Sequence, residues 1–508
     1  MPSGRKRIAV NPPVFFVSGA LLLLFLGFGV LDTKDAARVF PAVLSAVSTH
    51  FGWLYVLSVG FFIGFCLWLL LSRYSRIRLG DDDERPEFST LSWFSMLFSA
   101  GMGIGLVFYG VAEPMMHFSA PPTGEGATLA AAQQALPITY FHWGLHAWAI
   151  YVLMGLGIAY FAYRKKLPLA IRSCFYPLLG DRIHGVLGHI IDIIAVFGTL
   201  FGLATSLGLG AMQISAGMKH LFHVPHGTNT QLILIAVITA VATLSLVSGV
   251  KRGIRRLSEL NMLLAGLLTL FVFVVGPTLF IINTFVDNLG RYLAEILTRS
   301  LRIAPLNEGE AGWMKNWTLF YWGWWIAWAP FVGMFVARVS RGRTIREFIL
   351  GVLLVPTVVT FAWFSVFGGT ALHFELFGGG GIAQAVSKDL ATAVYVMLER
   401  LPWGGVTALL AASVVAVFFV TSSDSASFVV DMLTSGGHPN PPIWQRVFWA
   451  IAEGACAAVL LYAGGKQALN ALQAAVVSIG LPFCVVLVFI AVSLVVALRR
   501  DHPTPPPE

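Results

Sequence analysis

Twelve runs of predominantly apolar residues recur along the chain, near 12–31, 51–72, 91–111, 138–163, 188–217, 231–249, 260–286, 316–337, 347–370, 406–433, 444–464 and 470–498. A helix rising about 1.5 Å per residue needs about 20 such residues to cross the ~30 Å hydrocarbon core of a bilayer. Within that core the backbone must satisfy its own polar groups, which long helices do internally. The 508 residues include only 33 Lys+Arg and 25 Asp+Glu, so 11% are charged and 57% hydrophobic. A water-soluble chain carries about 25% charged residues, and no such shell is available here. The sequence predicts an all-α polytopic membrane protein with 12 transmembrane helices. The net charge of +8 does not indicate nucleic acid, because the basic residues sit between apolar runs and form no single patch. Cys66, Cys174, Cys456 and Cys484 are scattered without metal-site or framework spacing.

Orientation follows from the basic residues. With the N-terminus inside, 23 of the 33 Lys+Arg fall on the cytoplasmic side, among them Arg73, Arg76, Arg164, Lys165, Lys166, Arg338, Arg341 and Arg343. The expectation is a multi-pass protein of the cell inner membrane with both termini cytoplasmic, the first run acting as a signal anchor. The tails, with Pro-rich DHPTPPPE at the end, suggest that the activity resides within the membrane. Segment 385–400 is helix-like but charged and reads as extramembrane, while 288–302 is amphipathic and reads as interfacial.

Several runs carry features that a plain span does not need. In FSAGMGIGLVFYG, Gly101, Gly103, Gly105 and Gly110 each cost about 1 kcal/mol against alanine inside a helix. Small residues can serve close helix packing, but glycines at every second position do not share a helix face. Their spacing favours unwinding around Met102. In WTLFYWGWWIAWAPFVGMF, Trp317 suits an interfacial belt, whereas Trp322, Trp324, Trp325 and Trp328 lie deeper. Trp324, Trp328, Phe331 and Phe335 form one helical stripe that Trp325 flanks.

The run YFHWGLHAWAIY adds Trp143, Trp148 and Tyr151. Its His142 and His146 have the i,i+4 spacing of a metal pair, but no carboxylate or third ligand accompanies them, so they read as a hydrogen-bonded patch. In FFVTSSDSAS, Thr421, Ser422, Ser423, Asp424 and Ser425 make the densest polar cluster of any run. Hydroxyls often join helices in lipid; together with carbonyls freed by a helix break they also suit a small monovalent cation. Asp424 and Glu453 are left as either proton-relaying or simply paired groups.

A quaternary ammonium has no N–H to donate, so a protein holds it by shape and by the negative faces of aromatic rings. Tryptophans converging at mid-membrane therefore point to a methylated ammonium compound. A carboxylate on the same ligand would be met by the broken third span.

The segments GMGIGLVFYGVAEP (101–114), HWGLHAWAIY (142–151), WTLFYWGWWIAWAPFVGMFVARVSRGRTIREF (317–348) and FVTSSDSAS (419–427) resemble the betaine/carnitine/choline transporter family over nearly the whole chain. The resemblance implies a LeuT-like fold of two inverted five-helix repeats. Residues 1–90 would then hold two peripheral helices and a basic loop, 91–286 the first repeat, 287–315 an interfacial helix and linker, 316–498 the second repeat, and 499–508 a cytoplasmic tail. A homotrimer is implied as well.

By the same resemblance Trp143, Trp148, Tyr151 and Trp325 form an aromatic box and Trp324 and Trp328 complete the cage, with Met102 and Gly103 beside the substrate. Trp322, Phe331 and Phe335 would line the pathway. Sodium would be held by Ser99, Met102, Phe418, Thr421 and Ser422, and a second sodium by Thr205 and Phe331. No cofactor is implied beyond the coupling ion. Proton-coupled choline carriers of the family have an Asp where this chain has Gly105, which tilts the substrate toward a zwitterion such as glycine betaine. Family members that sense osmotic stress carry long charged tails, so nutrient uptake is an open alternative role. The other readings are a proton-coupled or exchange carrier of choline, carnitine, ectoine or dimethylsulfoniopropionate and, remotely, a polytopic membrane enzyme or a passive channel.

Overall fold

The computed structural model describes residues 10–101, 103–247, 251–438 and 441–501. Among them every extended regular element is a helix, and one β-bridge pairs Arg78 with Thr344. The chain opens with α1 (Pro12–Leu31) and α2 (Thr33–Leu71), which turn at Asp32, whose side chain accepts from the Asp35 N–H at 3.1 Å. Next come α3 (Thr90–Gly101), α4 (Ile104–Ser119), α5 (Leu129–Trp143), α6 (Leu145–Ala159) and the short α7 (Tyr176–Leu179). Beyond these lie α8 (Val186–Phe222), α9 (Thr228–Val247), α10 (Lys251–Val275), α11 (Thr278–Ser300) and α12 (Glu308–Asn316). The second half holds α13 (Thr318–Val339), α14 (Ile345–Phe377), α15 (Ile382–Lys388) and α16 (Ala393–Leu398). It closes with α17 (Gly404–Thr434), α18 (Ile443–Gly464) and α19 (Ala468–Asp501).

Among the described residues, ten stretches are long and apolar enough to cross a membrane. One of them, Ile443–Asp501, is 59 residues long, about 90 Å if straight, and Gly465 with φ of +50° separates α18 from α19 within it. The broken pair α3/α4 is not among the ten. Four boundaries differ from the sequence reading. The second helix begins at Thr33, well before 51, once Asp32 caps it. The fourth run begins at Leu129, where Thr128 Oγ1 accepts from the Ala131 N–H at 3.1 Å. The run 260–286 is cut at Gly276–Pro277, because proline has no N–H to continue the ladder and disfavours helix before it. The amphipathic helix therefore starts at Thr278, not 288. Segment 385–400 is two helices separated at Asp389, which takes the Ala391 N–H onto its carboxylate at 3.0 Å.

The aromatic helix α13 sits at the centre, packed against α6, α8 and α19. Helix α17 lies against α8 and α10, and α14 against α4, α5 and α6. Helices α1, α9 and α10 turn leucines and valines outward, Leu24, Leu244 and Leu263 among them, as a lipid-facing layer requires. The four cysteines are buried free thiols. The fold thus surrounds one tryptophan-rich helix with two interrupted ones, α3/α4 and α5/α6.

Candidate functional site

Both interruptions occur at glycine. Helix α3 ends at Gly101; Gly103 is extended at φ −166°, ψ −177°, and α4 starts at Ile104. Met102 lies outside the described residues, and of Ser99 only the helical backbone is described. At Gly144 (φ −94°, ψ −136°) α5 gives way to α6. A Cβ there would meet the Tyr140 carbonyl at 2.6 Å and Phe361 at 2.8 Å. The break frees carbonyls that a continuous helix would pair. The Trp325 Nε1–H donates to the His142 carbonyl at 2.8 Å, and Thr360 Oγ1 donates to that of Trp143 at 3.3 Å. The same kink that directs Trp143 and Trp148 thereby anchors Trp325 on the facing helix.

Between the two breaks lies a cavity lined by Gly103, Gly105, Trp143, Trp148, Tyr151, Trp324, Trp325 and Trp328, with Ser206 and Thr360 among its few polar neighbours. Trp324 and Trp325 stack at 4.8 Å and 13°, and Trp143 meets Trp325 at 4.8 Å and 68°. Trp148 and Tyr151 are edge to face at 5.3 Å. Gly105 is required by close approach, since a Cβ would lie 2.8 Å from Trp324 and 3.0 Å from Trp143. Three indole N–H groups are fixed: Trp325 as above, Trp324 on the Gly202 carbonyl at 3.3 Å and Trp143 on Glu113 Oε2 at 2.7 Å. Among the described residues, Trp328 Nε1 and the Tyr151 hydroxyl are buried without a partner.

A second cavity is lined by Phe331, Phe335, Phe418, Thr421, Ser422 and Ser425, with Ser258 and Asn261 of α10. Trp328 and Val332 line both cavities and form the wall between them. The Thr421 hydroxyl donates to the carbonyls of Val417 and Phe418 at 3.0 and 3.3 Å, which leaves its lone pairs for a ligand. The neighbouring hydroxyls divide by helical position. Ser423 and Ser427 turn the other way and donate to Glu453 Oε2 at 3.3 and 2.8 Å, joining α17 to α18.

Two residues expected at the site are not brought to either cavity. Trp322 packs 5.3 Å from Phe141 and stacks on His146 at 5.6 Å, because it lies on the far side of α13 from Trp324 and Trp328. Thr205 commits its hydroxyl to the carbonyls of Phe201 and Leu472 at 2.9 and 3.2 Å, apart from the Phe331 cavity.

The histidines are partnered differently from the sequence pattern. His146 bonds Ser300 Oγ at 2.7 Å. His142 instead joins Glu113 and His117 of α4, and ligand atoms of these three lie within 4.8 Å of one another. A carboxylate does accompany His142, therefore, but from another helix. Its contacts to His142 Nδ1 at 2.7 Å and His117 Nε2 at 3.1 Å are hydrogen bonds, closer than the about 3.3 Å between tetrahedral zinc ligands. The sequence signal was present in the i,i+4 pair Glu113 and His117 inside an apolar run.

A family model described as BCCT, betaine/carnitine/choline family transporter, matches residues 13–503. A chain named as an uncharacterized transporter in Mycobacterium tuberculosis is 48% identical over 497 residues, which is 97% of this chain and 83% of that one. The glycine betaine transporter OpuD of Bacillus subtilis is 47% identical over 490 residues, 96% of this chain and 94% of its own. A glycine betaine/proline/choline/ectoine transporter of Vibrio parahaemolyticus is 43% identical over 498 residues, 97% and 88% respectively. These relatives are transporters, not enzymes, and with the family match over nearly the whole length they place the chain plainly: it is a multi-pass membrane transporter belonging to the betaine/carnitine/choline transporter family.

Proposed function

We propose that this protein imports glycine betaine, or a close quaternary ammonium relative, with sodium by alternating access. The observation that carries the reading is the chemistry of the first cavity. Its walls are mostly aromatic rings, whose faces attract a methylated ammonium, and its two donors without a partner among the described residues are Trp328 Nε1–H and the Tyr151 hydroxyl. An unpaired buried polar group costs about 1–3 kcal/mol, and a substrate carboxylate would pair both. A zwitterion with an ammonium at one end and a carboxylate at the other matches this division, and the Bacillus relative bears the name of such a transporter.

The coupling ion is assigned to the second cavity, where the Thr421 and Ser422 hydroxyls and the Phe418 carbonyl are hard oxygen donors; Ser99 and Met102 carbonyls would complete the set. Trp328 borders both cavities, so each solute would raise the other's affinity reciprocally. Twelve crossings follow if α3/α4 spans once and α18 and α19 span separately. Inverted repeats over 91–286 and 316–498, flanked by 1–90, 287–315 and 499–508, a homotrimer, an inner-membrane location and cytoplasmic termini belong to the same proposal. A broader substrate set including choline and ectoine is the second reading, favoured by the name of the Vibrio relative; proton coupling or exchange would accompany it.

The test is uptake of labelled glycine betaine into liposomes containing the purified protein. Accumulation driven by an inward sodium gradient is expected; accumulation indifferent to sodium rejects the coupling, and no uptake rejects the function. Thr421→Val or Ser422→Ala should raise the half-saturating sodium concentration about tenfold or more, since an interaction with a charged partner is worth about 1.5–3 kcal/mol. An unshifted sodium curve in both variants would move the ion elsewhere.

A further inference from the structure

One wall of the aromatic cavity is backed by a buried carboxyl group. Glu113, fully buried on α4, receives four groups on its two oxygens. Oε2 accepts the Trp143 indole N–H at 2.7 Å and the Tyr321 hydroxyl, and Oε1 faces His142 Nδ1 at 2.7 Å and His117 Nε2 at 3.1 Å. An indole N–H can only donate, and an ionised carboxylate offers about four acceptor sites and no donor. With each imidazole proton on the nitrogen facing Glu113, His142 Nε2 accepts from Thr318 Oγ1 at 3.0 Å, and the bare His117 Nδ1 is left as a buried acceptor with no donor among the described residues. All four bonds are then made with neutral histidines and a carboxylate of charge −1. That charge touches the edge of a ring whose neighbouring ring, Trp325, also lines the cavity.

We propose that Glu113 is a specificity-determining residue: its charge, reaching the cage across the Trp143 N–H, makes the cavity select a cationic headgroup over a neutral group of the same shape. The idea rests on the proposed function and goes beyond it. A ring face binds a cation through its own quadrupole; an anion hydrogen-bonded to the ring edge adds electron density to that face and a direct attraction across one indole width. At about 7 Å and an effective dielectric near 20, such an attraction corresponds to roughly tenfold to a hundredfold in affinity. It also supplies the cavity with a negative charge although Gly105, which lies against Trp143 and Trp324, carries none.

The test compares two ligands on the purified full-length protein by quenching of tryptophan fluorescence: glycine betaine and tert-butylacetate, the same shape with carbon in place of nitrogen. In Glu113→Gln, the preference for glycine betaine should fall at least about tenfold, whereas a residue that merely positions Trp143 would weaken both ligands alike and leave the ratio intact. Glu113→Asp, which keeps the charge, should keep most of the preference. His117→Lys cancels the charge with an ammonium on the same helix and should reproduce the fall even if Glu113→Gln does not fold. A folded variant of either kind with an unchanged ratio overturns the proposal. Wild-type protein that binds neither ligand overturns the proposed function as well, which separates the two failures.

Discussion

Replacing Trp325 by alanine is expected to weaken glycine betaine binding by about a hundredfold or more. Two losses combine. A desolvated cation–π contact is worth about 2 kcal/mol, and the ring lost here is stacked on Trp324 and meets Trp143 edge to face. The His142 carbonyl, at the break between α5 and α6, also loses its side-chain donor, Trp325 Nε1, and an unpaired buried group costs about 1–3 kcal/mol. Trp325→Phe restores a ring face but not the N–H, so an intermediate loss of about tenfold is expected. Titration of the three proteins with glycine betaine, read by calorimetry, provides the check. Alanine and wild-type affinities within about threefold of each other would remove the cage from the mechanism.

Gly202→Ala is the second change with a large expected effect, through a residue that lines neither cavity. A Cβ at Gly202 would lie 2.2 Å from Trp328 Cδ1 and 3.1 Å from its Nε1. The indole must move, and with it the wall shared by the two cavities. Overpacking of this kind costs about 1–3 kcal/mol, and since Trp328 faces both substrate and ion regions, both apparent affinities should fall by about fivefold to a hundredfold together. Gly266→Ala is the control, because nothing lies within 4 Å of a Cβ there. Transport by Gly202→Ala at the level of Gly266→Ala would show that the Trp328 wall yields freely.

Much of the site was legible because it rests on local periodicity. The alternate glycines of 101–105 predict an interruption, and α3 does end at Gly101. The stripe on α13 placed Trp324 and Trp328 on one face, and both line the aromatic cavity. Trp322, two residues before Trp324, falls on the opposite side of the helix from it and lines neither cavity. Segment ends were less legible. Asp32 and Asp389 act through one hydrogen bond each, and hydropathy does not register single bonds.

The partnership of Glu113 and His142 was not readable, for a different reason. Glu113 and His142 lie 29 positions apart on separate helices, so no spacing rule links them. What the sequence by itself determined is the class of molecule and the supply of aromatic rings, since bilayer thickness converts apolar length into spans and a missing charged shell excludes solution. Which rings meet, which hydroxyls face the second cavity and which carboxylate stands behind Trp143 depended on packing. Those are contacts between helices, such as the ones made where the backbone break at Gly144 brings the His142 and Trp143 carbonyls within hydrogen-bonding reach of Trp325 and Thr360, residues remote in the chain.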